Sequence, residues 1–186
     1  MMKHKYSFLV LLLISAAALL AADKNPVVGG QEMLPTNTIY ANLSKSADHT
    51  TFMSAIKAAG LEDQLKAAGP ITVFAPTNQA FADMPKGTFE NLMKPENKEQ
   101  LKKLLLYNMA SGKWTTSDLK KKIKESKEAT AEIAALQGGK LTLKDHSGMH
   151  LMVQSEDDDI GMFNVSDVLC SNGVIHVIDN VMMPKQ

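Results

Sequence analysis

The chain of 186 residues contains no arginine, and all twenty of its basic side chains are lysines. Guanidinium groups supply the forked contacts that grip phosphates, bases and carboxylates, so their absence argues against a nucleic-acid partner. It also removes the usual anchor for phosphate or carboxylate ligands. Cysteine is almost missing: Cys170 stands alone. A single cysteine forms no intramolecular disulfide, so the domain must be held by its core. Cys170 itself reads as a small buried apolar residue rather than a nucleophile. Long apolar runs are missing too, apart from Phe8–Leu20, thirteen residues behind the basic Lys3, His4 and Lys5. That is too short to span a bilayer comfortably, and small residues follow it, so it reads as a secretory signal cut between Ala18 and Ala22. No cysteine ends the run, which argues against a lipid anchor. The expected product is secreted or periplasmic, without an integral membrane span after cleavage. Without Lys3 and Lys5, eighteen lysines face twenty acids, a formal charge of −2.

What is present divides into three segments: a signal peptide over 1–22, an irregular arm over 23–37 punctuated by Pro26, Gly29-Gly30 and Pro35, and one domain over 38–186. Asp48 is placed to cap a helix whose Phe52, Ile56 and Ala59 share a face, with Gly60 as its terminator. Leu61 to Ala68 reads as a second short helix closed by Gly69. A helix begins at Gly87-Thr88, and another follows Pro95 with Leu101, Leu104 and Leu105 on its apolar side. Leu106 to Ala110 reads as extended, and Ser117-Asp118 opens a lysine-rich helix to about Lys127. Glu128–Leu136 is ambiguous, since alanine and glutamate favour helix while Gln137-Gly138-Gly139 is a turn feeding a strand. Lys140–Lys144 and Met149–Gln154 alternate around a hairpin turn at Asp145–Gly148. Phe163–Leu169 and the apolar Val174–Val181 read as further strands. Helices gather early and strands late, an α+β pattern.

The organising stretch is Ile71–Pro85, ITVFAPTNQAFADMP. A β-branched and aromatic run is stopped by Pro76. Thr77 and Asn78 are candidate N-caps, and Ala80, Phe81 and Met84 form a helical apolar stripe. Together with Gly173–Pro184, GVIHVIDNVMMP, it resembles the two signature blocks of the fasciclin-type (FAS1) domain family. The intervening Leu104–Tyr107 run, Ser111-Gly112-Lys113, Thr116–Leu119, Leu136–Gly139 and Ser171-Asn172-Gly173 match as well. The resemblance covers about Pro26 to Pro184. It implies a β-sandwich or wedge of about seven strands with helices packed along one edge, and it makes Glu128–Leu136 a strand. The signature positions it selects are Thr72, Phe74, Ala75, Pro76, Thr77, Asn78, Phe81, Tyr107, Asn172, Gly173, His176, Asp179 and Pro184. It implies a non-enzymatic, exported interaction module in adhesion or in surface or matrix association, whose partner is an unidentified protein or polysaccharide. One position departs from the family: many members carry Tyr-His after the leucine run, a pair linked to receptor binding in animal adhesion proteins, and here it is Tyr107-Asn108.

No catalytic, cofactor or metal-ligand set is expected. His176 is read as a hydrogen-bonded core histidine; as a general base it would need Ser166, Ser171 or Asp179 in reach, and no elbow or triad pattern surrounds them. Glu156–Asp159 lacks the ligand spacing and glycine of a calcium loop and reads as a solvated acidic turn. Lys120, Lys121, Lys122, Lys124 and Lys127 form a solvated helix face, whose functional version is contact with an anionic surface. Met182 and Met183 are core fillers. The alternative function is a periplasmic metal-binding or stress-related protein using His146, Met149, His150 and Met152, donors suited to copper.

Overall fold

The structure is a computed structural model and describes residues 25–146, 148 and 150–185. The expected signal peptide lies outside the described residues, as do Ser147 and Met149. The first described residues are less irregular than their composition suggests: β1 (Val27–Val28) and β2 (Gln31–Glu32) form a tight hairpin. Gly29 and Gly30 turn it with φ of 57° and 77°, and a Cβ on Gly29 would overlap Ser46 Oγ and the Ala47 backbone. Val28 and Met33 then reach the core.

Helix α1 (Ile39–Leu43) starts at Thr38, whose hydroxyl accepts the Ala41 N–H. A 3₁₀ turn, Ala47–His49, runs into α2 (Thr50–Ala59), which ends at Gly60 in the left-handed region. Asp48 therefore lies inside the turn and does not cap α2. Helix α3 (Glu62–Lys66) is shorter than expected, because the chain turns extended at Ala67 before Gly69 is reached. Then come β3 (Ile71–Pro76), α4 (Asn78–Ala82), α5 (Thr88–Leu92) and, after a 3₁₀ turn with Pro95 first, α6 (Lys98–Tyr107). Leu106 and Tyr107 belong to the last turn of α6 instead of a strand, because Asn108 closes the helix and only β4 (Met109–Ser111) is extended. Helix α7 (Thr116–Glu125) opens with a capping box between Thr115 and Asp118.

Strands β5 (Thr130–Ala134), β6 (Lys140–His146), β7 (His150–Gln154), β8 (Ile160–Cys170) and β9 (Gly173–Ile178) complete the chain. Alanine-rich β5 is a strand despite its helical propensity, because β6 pairs with it from Thr130↔Lys144 to Ala134↔Lys140. The seven-stranded sheet runs β4-β3-β9-β8-β7-β6-β5, and an Ala110↔Ala135 bridge with the Leu136 N–H on the Met109 carbonyl (2.8 Å) nearly closes it into a barrel. Closure leaves no long free edge to aggregate. The helices pack alongside.

The two signature strands are neighbours. β3 and β9 pair in parallel, Ile71↔Gly173 through Pro76↔Ile178, at the centre of the sheet. Every residue of β9 is buried, because the pair is covered on both faces. Val73, Ala75, Ile175 and Val177 pack with the α1, α2 and α6 residues Ile39, Phe52, Ile56 and Leu105. Phe74 and Ile178 pack instead with Leu119 and Ile123 of α7 and Leu141, Leu143, Leu151 and Val153 of β6 and β7. Two cores thus share one central strand pair.

Candidate functional site

Around that pair the signature side chains form hydrogen bonds across segments far apart in sequence. Thr72 Oγ1 donates to the Gly112 carbonyl (2.8 Å) and accepts the Trp114 N–H (2.9 Å). Asn172, in the β8–β9 turn, accepts the Ile39 N–H (2.9 Å) and donates to the Leu65 and Ala67 carbonyls (2.9 and 3.0 Å). It therefore ties the start of α1 and the end of α3 to the sheet. Gly173 follows because a Cβ there would overlap the Ile71 carbonyl of β3. Asp179 Oδ1 accepts the Met162 N–H (2.7 Å), pinning the end of β9 to β8. Phe74 and Ala75 are buried in β3, Pro76 ends that strand, and Pro184 is partly exposed in the C-terminal tail.

Thr77 is the N-cap of α4, its hydroxyl accepting the Ala80 N–H (3.2 Å). Asn78 has a different task. Its Oδ1 accepts the Thr51 N–H (2.9 Å) in the first turn of α2, and its Nδ2 donates to the Ala47 carbonyl (2.8 Å). It caps another helix through space. Phe81, buried at 4.9 Å from Phe89 between ring centroids, floors a shallow groove of about 370 Å³ between α4 and α5.

His176 sits between the rings of Phe74 and Phe163, at centroid distances of 5.8 and 4.7 Å. Its Nδ1 accepts the Asp167 N–H (3.3 Å), which places the proton on Nε2, and that proton goes to the Trp114 carbonyl (2.7 Å). Asp167 is a non-glycine residue at φ 55°, where the β8–β9 register shifts. Its carboxylate accepts the Thr116 N–H (2.8 Å) and hydroxyl at the start of α7. Burial pushes the His176 pKa down, against the pull of the Trp114 carbonyl and Asp167. With both nitrogens committed to backbone groups, His176 is not free to serve Ser166 or Ser171 as a base.

The Tyr107-Asn108 pair is buried. Tyr107 Oη donates to the Lys140 carbonyl (2.6 Å) and accepts the Glu156 N–H (2.9 Å). Burial pushes its pKa up. Asn108 holds Leu104 O and Met182 O through Nδ2 (2.9 Å each) and Met182 N–H through Oδ1 (3.1 Å). Asn108, where the resemblance leads one to expect histidine, is a clamp between α6 and the C-terminal tail. Cys170 is buried, takes a hydrogen bond from Asn42 Nδ2 at 3.2 Å, and has its thiol pKa pushed up to about 11 by desolvation. It is unsuited to nucleophilic work at neutral pH.

Sequence reasoning passed over Asp167, and it noted Asn108 only for the histidine it replaces, not for its clamp. Neither carries a local signal, since each acts only on partners brought in by the fold. His49 is a third. It is fully buried, with Nδ1 bonded to Ser46 Oγ (2.8 Å) and Nε2 without a hydrogen-bond partner among the described residues, while the Ala75 backbone pulls toward the protonated form. Burial pushes its pKa down regardless.

Outside this network the chemistry moves to the surface. Ser155 Oγ accepts the Asp157 and Asp159 N–H groups (3.2 and 3.0 Å), so the acidic loop is a self-capped turn. On α7, Leu119 and Ile123 face the core and Lys120, Lys121, Lys122 and Lys124 face outward. Lys122 Nζ lies 5.9 Å from the Trp114 ring centroid, and the only salt bridge among the described residues is Lys140–Glu132 (2.9 Å). The α7 lysines thus have no carboxylate partner among the described residues. An open hollow of about 480 Å³ lies between Ser117, Lys120, Lys121, Lys124 and Glu125. On the opposite sheet surface, register sets His146 against His150, and Met152 against Met162.

These features define a helix-flanked, nearly closed β-sheet whose buried polar side chains mostly hold it together. A sequence model of the Fasciclin domain matches residues 47–184, and the chain belongs to that family. It is 37% identical to Protein sll1483 of Synechocystis over 171 residues, covering 92% of this chain and 87% of that protein. It is 28% identical to human periostin over 79% of this chain and 16% of periostin, and 29% identical to Immunogenic protein MPB70 of Mycobacterium bovis over 63% and 51%. Among solved structures it is similar to a FAS1 domain pair from the insect cell adhesion molecule Fasciclin I, with a TM-score of 0.68 and 19% identity. That likeness covers 78% of this chain and half of the solved one, and it shows the fold.

Proposed function

We propose that this chain is an exported, non-enzymatic interaction module that contributes to adhesion or surface association, through a partner of the cell envelope or matrix. One observation carries the reading: the signature and buried titratable side chains are engaged with the frame, whereas the α7 lysines stand outward without carboxylate partners among the described residues. A row of ammonium groups fits an anionic polymer or an acidic protein face, and its attraction is screened by salt. The cell adhesion molecule that shares the fold supports the general role. The buried Tyr107-Asn108 argues that the receptor motif of animal relatives is not the contact used here. The signature residues serve the scaffold in this reading, and specificity lies on the surface.

The test is a pull-down with the purified protein against envelope and extracellular fractions, repeated with Lys120, Lys121 and Lys124 changed to glutamine. Retention that falls in the variant and with added salt supports the reading. Retention indifferent to both removes the lysine face, and turnover of a substrate abolished by His176→Gln in a folded protein overturns the non-enzymatic role.

A further inference from the structure

The outer face of β6, β7 and β8 gathers four nitrogen and sulfur donors. In β6 the inward residues Leu141 and Leu143 are fully buried, which turns Lys144 and His146 outward. In β7 the buried Leu151 and Val153 likewise turn His150, Met152 and Gln154 outward. In β8 Gly161 and Phe163 point in and Met162 out. The register then fixes neighbours. His146 is directly opposite His150, and Met152 is directly opposite Met162. Met152 follows His150 by two residues on the same face. The two rows are one pleat repeat apart, about 7 Å, and directly paired residues are about 5 Å apart at Cβ. Imidazole and thioether side chains both reach across such gaps.

The geometry points to a binding site for a soft monovalent cation, with Cu(I) as its natural chemical class, formed by His146, His150, Met152 and Met162. Two thioethers select against hard cations, and imidazole accepts copper readily. Charge argues in the same direction. The four donors bring no negative charge, and two cations stand nearby: Lys120 donates to the Gly148 carbonyl at the hairpin tip (3.3 Å), and Lys144, across from Met152, donates to Gln154 Oε1, whose Nε2 in turn donates to Asp158 Oδ1 (2.7 Å). A divalent ion would pay twice the repulsion of a monovalent one at the same distance. Lys144 is turned along the strand toward Gln154, away from the histidine row, so it leaves the donors uncovered. Met152 and Met162 are only partly buried and so remain accessible. The four donors include no residue of the lysine face or of the family signature.

Silver(I) is the redox-silent probe. Titrating the protein with Ag(I), followed by calorimetry and by methionine methyl resonances, is expected to show one equivalent bound with micromolar or tighter affinity and shifts at Met152 and Met162. Met152→Leu with Met162→Leu keeps volume and apolar character, and should weaken binding by at least about tenfold, as should His146→Ala with His150→Ala; even loss of a residue that only orients a metal ligand reaches that size. Unchanged hydrogen–deuterium exchange in the cores shows that the variants are folded. Absence of saturable binding overturns the site. So does binding that survives both double variants, shifts confined to other methionines or to the surroundings of Cys170, or Zn(II) binding as tight as Ag(I).

Discussion

Lowering the pH should unfold this protein through two histidines before its carboxylates titrate. His49 and His176 are both fully buried, and desolvation holds both imidazoles below the ordinary histidine value near 6.5. The charged groups facing them, Asp48 and Asp167 respectively, pull the other way without overcoming burial. In the folded chain both rings are therefore neutral where the unfolded chain takes up two protons. The stability due to their neutrality is fully present above about pH 6.5 and is lost as the pH falls from there toward the folded values. Each histidine removes up to about 1.4 kcal/mol per pH unit, so the pair approaches about 2.7 kcal/mol per unit. With a urea m-value in the range for a domain of this size, that is a drop of about 1–2 M in the midpoint for each unit of pH. Urea melts at pH 7.5, 6.5 and 5.5 measure it, and His176→Gln should flatten the slope by about half. A midpoint that stays level or rises as the pH falls would refute the assignment of two neutral, buried rings.

Asn78→Ala is expected to cost about 1 kcal/mol, the usual loss of a helix cap, and the effect should appear as faster amide exchange at the start of α2 rather than in α4. Exchange loss confined to α4 would contradict the through-space cap. Gly173→Ala places a Cβ on the Ile71 carbonyl at the centre of the sheet, and should lower stability by more than about 4 kcal/mol or prevent folding. A soluble variant with the parent's thermal midpoint would disprove the close approach of β3 and β9.

Much of the frame was legible because its causes are local. Gly60 ends α2 and Pro95 precedes α6, since left-handed backbone and a missing N–H are properties of one residue. The alternation of Lys140–Lys144 declares a half-buried strand for the same reason. The signature blocks go further, because they carry the side chains that a parallel β3–β9 pair needs: β-branched residues on both faces, and no Cβ where the strands come closest.

Other features depend on what the fold brings near. Local propensity pointed Glu128–Leu136 toward helix, and pairing with β6 made Thr130–Ala134 a strand. Asp48 looked like a cap, but the Thr51 N–H is satisfied by Asn78, twenty-seven positions away. Asp167 has no sequence signal for its positive φ; the register shift in β8 and the Thr116 end of α7 make that conformation worthwhile. The same holds for the surface. The cluster His146, Met149, His150 and Met152 suggested donors, with His150 and Met152 on one face of a strand, and Met162 did not enter the reading. Pairing of β6, β7 and β8 alone puts the four on one face. By itself the sequence determined most of the elements, the family and the buried character of His176 and Cys170, all properties of short range or of composition. The tertiary structure decided which polar groups meet, because a hydrogen bond or a ligand set joins residues by distance in space, and chain order does not encode that.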